Sequence, residues 1–163
     1  MNFQDAIRSA LSGADFLVAR YLDDLTDEEI LVRPVPDANH IAWQLGHLIA
    51  AERHLIEAAV PGSMPELPAG FVEAHKKDTA ANDDPAKFLT KAGYLDLAKT
   101  IRAATLKALD SRSPADFDKP VEGRVPPFVK RAGDCFTIIA NHWALHAGQW
   151  VILRRKLRRE RLF

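Results

Sequence analysis

His142 and His146 stand four residues apart in the stretch Asn141-His142-Trp143-Ala144-Leu145-His146-Ala147-Gly148-Gln149, near the end of a long apolar segment. On an α-helix that spacing stacks both side chains on one face, with Cβ atoms about 6 Å apart, so both imidazoles can reach one metal ion. Placed at 100° per residue, the two histidines fall in the middle of an apolar stripe with Ile139, Trp143, Trp150 and Leu153. There their four ring nitrogens need partners, and each one left unpaired costs about 1–3 kcal/mol. Two outcomes satisfy them. They can bond to neighbouring core groups, or they can hold a metal with a third ligand from another helix, because catalytic zinc takes three protein ligands and leaves one position open.

Third-ligand candidates lie in the stretch from Asn39 to His54. His40, His47 and His54 are spaced by seven and share a face, but seven residues span about 10.5 Å along a helix, so only one can join a given ion. His47 is central, between Gly46 and Leu48, and is the one chosen. His40 and His54 read as satisfied core or surface residues, and His75 falls in a connection without a role. A divalent ion on three neutral histidines keeps its full charge, so it can lower the pKa of bound water toward about 7 or hold a thiol as thiolate. Trp143 occupies the position of the general base in the H-E-x-x-H motif, which argues against a zinc protease.

Other polar residues near these positions have narrower readings. Gln149 is one turn from His146 on the same side, placed to orient a ring N–H or a ligand, or to pack between helices. Glu52 points with Ile41, Leu45, Leu48 and Ile56, where an unpaired carboxylate is expensive, so an arginine such as Arg102 or a backbone cap is expected beside it. It lies about 140° around the helix from His47, which argues against a catalytic base. Trp43 and Trp150 line the pocket or pack the core, and Cys135, about 10.5 Å below His142, is a buried thiol.

Four helices must position these side chains. Residues 2–25 carry apolar positions from Phe3 to Leu25 at i, i+3, i+4, i+7 spacing. Thr26-Asp27-Glu28-Glu29 opens a short turn that Pro34 and Pro36 end. A second helix, capped by Asp37 or Asn39, covers 39–60; Asp84-Pro85 starts a third over 85–110; Asp134 caps a fourth over 134–157. The small residues Ala140, Ala144, Ala147 and Gly148 on the fourth suit a helix contact or a dimer seam. The proline-containing connections 61–84 and 111–132 are expected over one end of the bundle, where Arg124 or Lys130 could meet an anion. They are long for a compact bundle and admit crossover topologies as well as a simple up-down arrangement. The reading is all-α: one four-helix bundle spanning 1–163, with long crossover connections.

Composition narrows the partners. The chain has 163 residues, with 22 Lys+Arg against 22 Asp+Glu, so nothing overall favours nucleic acid or membrane and neither is expected. A small molecule is the expected partner. The exception is a basic tail, Arg154, Arg155, Lys156, Arg158, Arg159 and Arg161, read as a helix C-terminus favoured by the macrodipole, with docking on lipid or nucleic acid as the rival. A lone Cys135, no charged and apolar leader and no apolar run of about 18 residues point to the cytoplasm.

Trp43-x-x-Gly46-His47-Leu48 on the second helix and His142-x-x-x-His146-x-Gly148-Gln149 on the last, across a chain of this length, resemble the DinB/YfiT-like superfamily. The resemblance implies a bundle with a three-histidine site, often for Zn or Ni, matching His47, His142 and His146, and frequently a homodimer. Some members use the metal to activate a low-molecular-weight thiol for transfer or isomerisation, and others have no assigned reaction. The function expected is a metal-dependent, thiol-linked S-transferase or small-molecule hydrolase. The alternative is a non-catalytic metal-binding or dimerisation module, related to stress or DNA damage by resemblance alone.

Overall fold

Asn2 accepts the N–H of Asp5 (2.8 Å) while the Asp5 carboxylate accepts the N–H of Asn2 (3.2 Å), which satisfies two of the free donors at a helix start. In the computed structural model, which describes residues 1–162, helix α1 (Phe3–Leu22) follows this cap and buries Ile7, Leu11, Ala14, Val18 and Leu22. Thr26 and Glu29 repeat the reciprocal cap and open the single turn Glu29–Leu31. Helix α2 (Ile41–Ala59) is capped by neither Asp37 nor Asn39: His40 Nδ1 accepts the N–H of Trp43 (3.1 Å). The next connection contains a short helix, α3 (Phe71–Ala74).

Asp84-Pro85 caps only a 3-10 turn, Pro85–Lys87, and the third long helix, α4 (Lys91–Asp110), starts later behind Thr90. The reason is tertiary. Phe88 is extended and its ring packs edge-on against His40 and His75, which draws the chain out of helical geometry. Helix α5 (Ala132–Lys156) also starts earlier than expected. Asp134 is not its cap but a residue of its first turn, with a carboxylate that accepts the N–H groups of Arg131 (2.9 Å) and Lys130 (3.0 Å). Among the described residues no strand forms; Pro120 and Arg131 make one isolated bridge.

Cross-helix pairs fix the direction of each helix. Arg8 near the start of α1 meets Asp110 at the end of α4, and Lys91 at the start of α4 bonds the Leu22 carbonyl at the end of α1, so these two are antiparallel. Gln44 and Glu52 of α2 bond Trp150 and Trp143 of α5 in reverse order, so these are antiparallel as well. Arg154 at the end of α5 reaches the Tyr21 carbonyl at the end of α1, which makes α1 and α5 parallel. Going round the bundle, α5 lies between α1 and α2, with α4 opposite, also between them. The order is up, down, down, up.

That topology explains the long connections. Helices α2 and α4 are parallel neighbours, so the chain between them must travel the length of a 20-residue helix, about 30 Å, before α4 can begin. Residues 60–90 therefore run along the bundle instead of closing one end. The core is contiguous through all four long helices, with Trp150, Tyr94, Phe136, Leu45, Leu48 and Ile49 fully buried. Because α5 packs on both α1 and α2, it buries two sectors. Ala140 and Ala147 of its small-residue face lie in the core, whereas Gly148 and Asn141 are exposed.

Charged groups enter this core only in company. Glu52 (2% exposed) accepts from Thr105 Oγ1 at 2.8 Å and Trp143 Nε1 at 2.7 Å and pairs with Arg102 Nη1 at 3.1 Å. Burial still pushes its carboxyl above the usual range, against the pull of Arg102. Arg102 holds Asp15 on its other side and lies over the Trp143 ring. The basic tail is similarly engaged: Arg154 pairs with Asp24 and Arg159 with Glu29, tying the end of α5 to the α1–α2 connection. No helix among the described residues is long and apolar enough to cross a membrane.

Candidate metal centre

The three histidines come together between the first half of α2 and the middle of α5. Ligand nitrogens of His47, His142 and His146 all lie within 4.8 Å of one another, and the ring centroids are 4.9–5.6 Å apart. The pair on α5 is there because four residues make about one turn, and His47 because the antiparallel Gln44–Trp150 and Glu52–Trp143 pairs set the register between the helices.

Burial on α5 is centred on Trp143, with Phe136, Ala147 and Trp150, and not on the histidines. His146 lies about 60° and His142 about 100° from that centre, so both are at the edge of the stripe. This corrects the expectation that they occupy its middle. An edge position suits a ligand better, since all three residues are half-buried and His47 and His142 line accessible space.

Burial holds all three imidazoles neutral. It lowers His47 below its ordinary value, and it brings His142 to about 4, with His47 adding to the effect. His146 is also brought to about 4, by burial first and then by His142 and His47. Neutral imidazoles with available lone pairs are the form that binds a divalent ion.

Gln44 decides which nitrogen of His146 is available. Its amide Nε2 donates to the Asn39 carbonyl (2.7 Å), and its Oε1 accepts from Trp150 Nε1 (2.9 Å), a group that can only donate. The amide orientation is thereby fixed. Oε1 also meets His146 Nδ1 at 2.9 Å, so Nδ1 carries the proton and the Nε2 lone pair is left for a ligand. Gln149, read in the sequence either for this role or for packing between helices, is exposed and makes no hydrogen bond among the described residues. It lies about 120° from the buried centre of α5, on the solvent side of both histidines.

His47 is held by stacking. Its ring lies 5.1 Å from that of Trp43, nearly parallel at 6°, and Trp43 Nε1 is anchored on Thr79 Oγ1 (3.4 Å). The ring nitrogens of His47 and His142 have no hydrogen-bond partner among the described residues. A donor set of one oriented imidazole and two with unengaged nitrogens fits a divalent metal better than a hydrogen-bonded core cluster.

His40 is a satisfied core residue, bonded to Trp43 N–H and facing the Asn82 carbonyl (3.1 Å). His75 is more than a loop residue: it is buried, with Nδ1 2.7 Å from the Phe71 carbonyl and Nε2 2.7 Å from the Tyr94 hydroxyl. Its ring occupies the space beside Gly46, where an added Cβ would lie 2.1 Å from His75 Cδ2. The glycine before His47 thus admits the strap formed by residues 71–88. Cys135 is buried, and burial with Asp134 nearby lifts its thiol to about 11.

A cleft of ≈ 500 Å³ opens at His47 and His142, between α2, α5 and the chain before α5, with Leu55, Pro126, Phe128, Ile138 and Leu145 among its walls. The backbone carbonyl of Arg124 meets His54 Nε2 (2.7 Å) at this edge.

A four-helix bundle with up-down-down-up topology, and three histidines converging from α2 and α5 beside an open cleft, defines an all-helical protein with a candidate metal centre. The pattern of the DinB superfamily matches residues 14–150, and the chain belongs to that superfamily. No curated protein matches the chain.

Proposed function

We propose that this protein is a metal-dependent enzyme that acts on a small molecule, with Zn or Ni at His47, His142 and His146, and that it is a thiol-linked transferase rather than a hydrolase. The observation that carries this reading is three neutral imidazoles, their ligand nitrogens within 4.8 Å of one another, two of them, His47 and His142, in the wall of a cleft large enough for a small substrate. A divalent ion bound there supplies Lewis acidity, lowering the pKa of a thiol or water that it meets.

The chain's own residues prepare that position. Gln44 keeps the proton on His146 Nδ1, Trp43 fixes the plane of His47, and Trp143, bonded to Glu52, fixes the turn of α5 that carries His142. No Asp or Glu lines the cleft, and Glu52 is sealed behind Trp143. Hydrolysis at such an ion gains from a general base beside the bound water, and the cleft offers no carboxylate for it. A thiol, more acidic than water, depends less on one, which favours transfer.

Two measurements test the reading. Elemental analysis of protein purified without an affinity tag should give one divalent ion per chain, and His142→Ala and His146→Ala should lose it; full retention in both variants would sink the assignment. Metal-loaded protein should then turn over a thiol and an electrophile in a His47-dependent way. Metal without such turnover across a broad panel would assign the chain to the non-catalytic alternative.

A further inference from the structure

Resting on the metal-centre reading above, we infer a substrate class: the molecule this centre acts on presents an uncharged, apolar body to the cleft between α2 and α5. The residues lining the cleft include no Lys, Arg, Asp or Glu; apart from the two metal-facing histidines, its polar groups are His54 and Asn141. Carbon walls come from Ala51, Leu55, Pro126, Phe128, Ile138 and Leu145. The Arg124 carbonyl can only accept, so His54 Nε2 is its donor and that ring is committed at one nitrogen.

Another groove of the molecule makes the contrast. Between α1 and α4 a space of ≈ 450 Å³ is lined by Asp15, Asp23, Lys91, Lys99 and Arg102. This chain places ions around a groove there and leaves them out beside the histidines. A carboxylate or ammonium group on the part of a ligand that lies against these walls, away from the histidines, would leave water for carbon without a counter-charge, which is costly. An aryl or branched alkyl group would instead exchange water for contact with Leu55, Ile138 and Leu145.

The occupant is a small molecule and not a permanent protein partner. At ≈ 500 Å³ the cleft falls within the range of small-ligand pockets, and a permanent partner would seal the imidazoles of His47 and His142 in its wall. Phe128 and Leu145, each 65% exposed, form a mouth that a ligand can enter without moving a helix.

The test varies charge on a constant ring. Benzyl methyl ether, benzoate and benzylammonium are titrated into isotopically labelled full-length protein, with and without cobalt(II), and amide chemical shifts are followed. In metal-free protein the ether should shift residues around Ala51 and Leu145 and bind at least tenfold more tightly than either ion. Leu145→Lys, a change at an exposed side chain that leaves the core intact, should raise benzoate affinity. Equal or tighter binding of the ions in metal-free protein, or ether shifts confined to other surfaces, overturns the inference. So does movement of the same resonances with protein concentration alone, which would mean that a second copy covers the cleft. Cobalt absorption reads the metal centre separately. Charge discrimination without cobalt binding would overturn the metal reading and leave the cleft assignment; cobalt binding without discrimination would do the reverse.

Discussion

Gln44 is the residue whose side chain joins the core to the candidate metal centre, because one oxygen accepts from both Trp150 and His146. Gln44→Leu should leave two donors unpaired and free the His146 ring to rotate, with metal affinity falling about 10–100-fold, as is typical when an outer partner of a ligand is lost. Gln44→Glu keeps an acceptor for both donors but loses the Nε2 bond to the Asn39 carbonyl, and should restore part of that affinity. Competition with a chelator of known strength checks both; unchanged affinity in Gln44→Leu would remove the orienting role. His47, His142 and His146 were legible in the sequence because i, i+4 spacing and a central position on another helix are local facts. Gln44 was not, since its partners, His146 and Trp150, lie about a hundred positions away and are set by the antiparallel register. Gln149 looked right because it shares the histidines' side of α5, but a helical wheel does not show where burial stops.

The element most dependent on long-range contacts is the strap over residues 71–88, held to α2 and α4 by His75 and Tyr94. His75 Nδ1–H donates to the Phe71 carbonyl, so Nε2 accepts from the Tyr94 hydroxyl; a proton on Nε2 would reverse that bond and place a charge in a buried site. Burial lowers His75 below its ordinary 6.5, so near and below that pH the unfolded chain binds more protons than the folded one. The strap's stability is therefore fully present above pH 6.5 and is lost as pH falls through the depressed folded value. Amide exchange at residues 72–79 should speed up on acidification beyond its intrinsic pH dependence, and His75→Gln should flatten the response. Gly46→Ala attacks the same contact: its Cβ would fall 2.1 Å from a ring pinned at both nitrogens. Overpacking of this kind costs about 1–3 kcal/mol, read as a lower denaturant midpoint, and His75→Ala in the same chain should relieve part of it. Periodicity placed α1, α2 and α5 within a few residues, because that signal is local, although the caps read for α2 and α5 are not the ones that form. Local signals misplaced the start of α4 because Phe88 is pulled toward His40 and His75 from outside the segment.

Across the whole molecule, the candidate metal centre links α2 to α5, two helices joined through 60–90, α4 and the segment before α5. An ion held by His47 on one side and by His142 and His146 on the other binds only when these helices are in register, so it binds the folded chain and not the unfolded one. Such a ligand at a free concentration a hundredfold above Kd stabilises the fold by about 2.7 kcal/mol. For a chain of 163 residues, a gain of 1 kcal/mol raises Tm by about 2–4 °C, so saturating Zn or Ni should raise it by about 5–10 °C. A chelator should reverse the rise, and His142→Ala should abolish it while leaving the metal-free melting temperature close to that of the parent, because the ring is at the edge of the buried stripe. Helices α1 and α4 contribute no ligand, yet they must melt with the others, since Glu52, Arg102 and Asp15 run from α2 through α4 to α1. The metal-dependent shift should therefore appear in one cooperative transition. A separate early transition, unmoved by metal, would show that the α1–α4 side unfolds independently of the histidine centre.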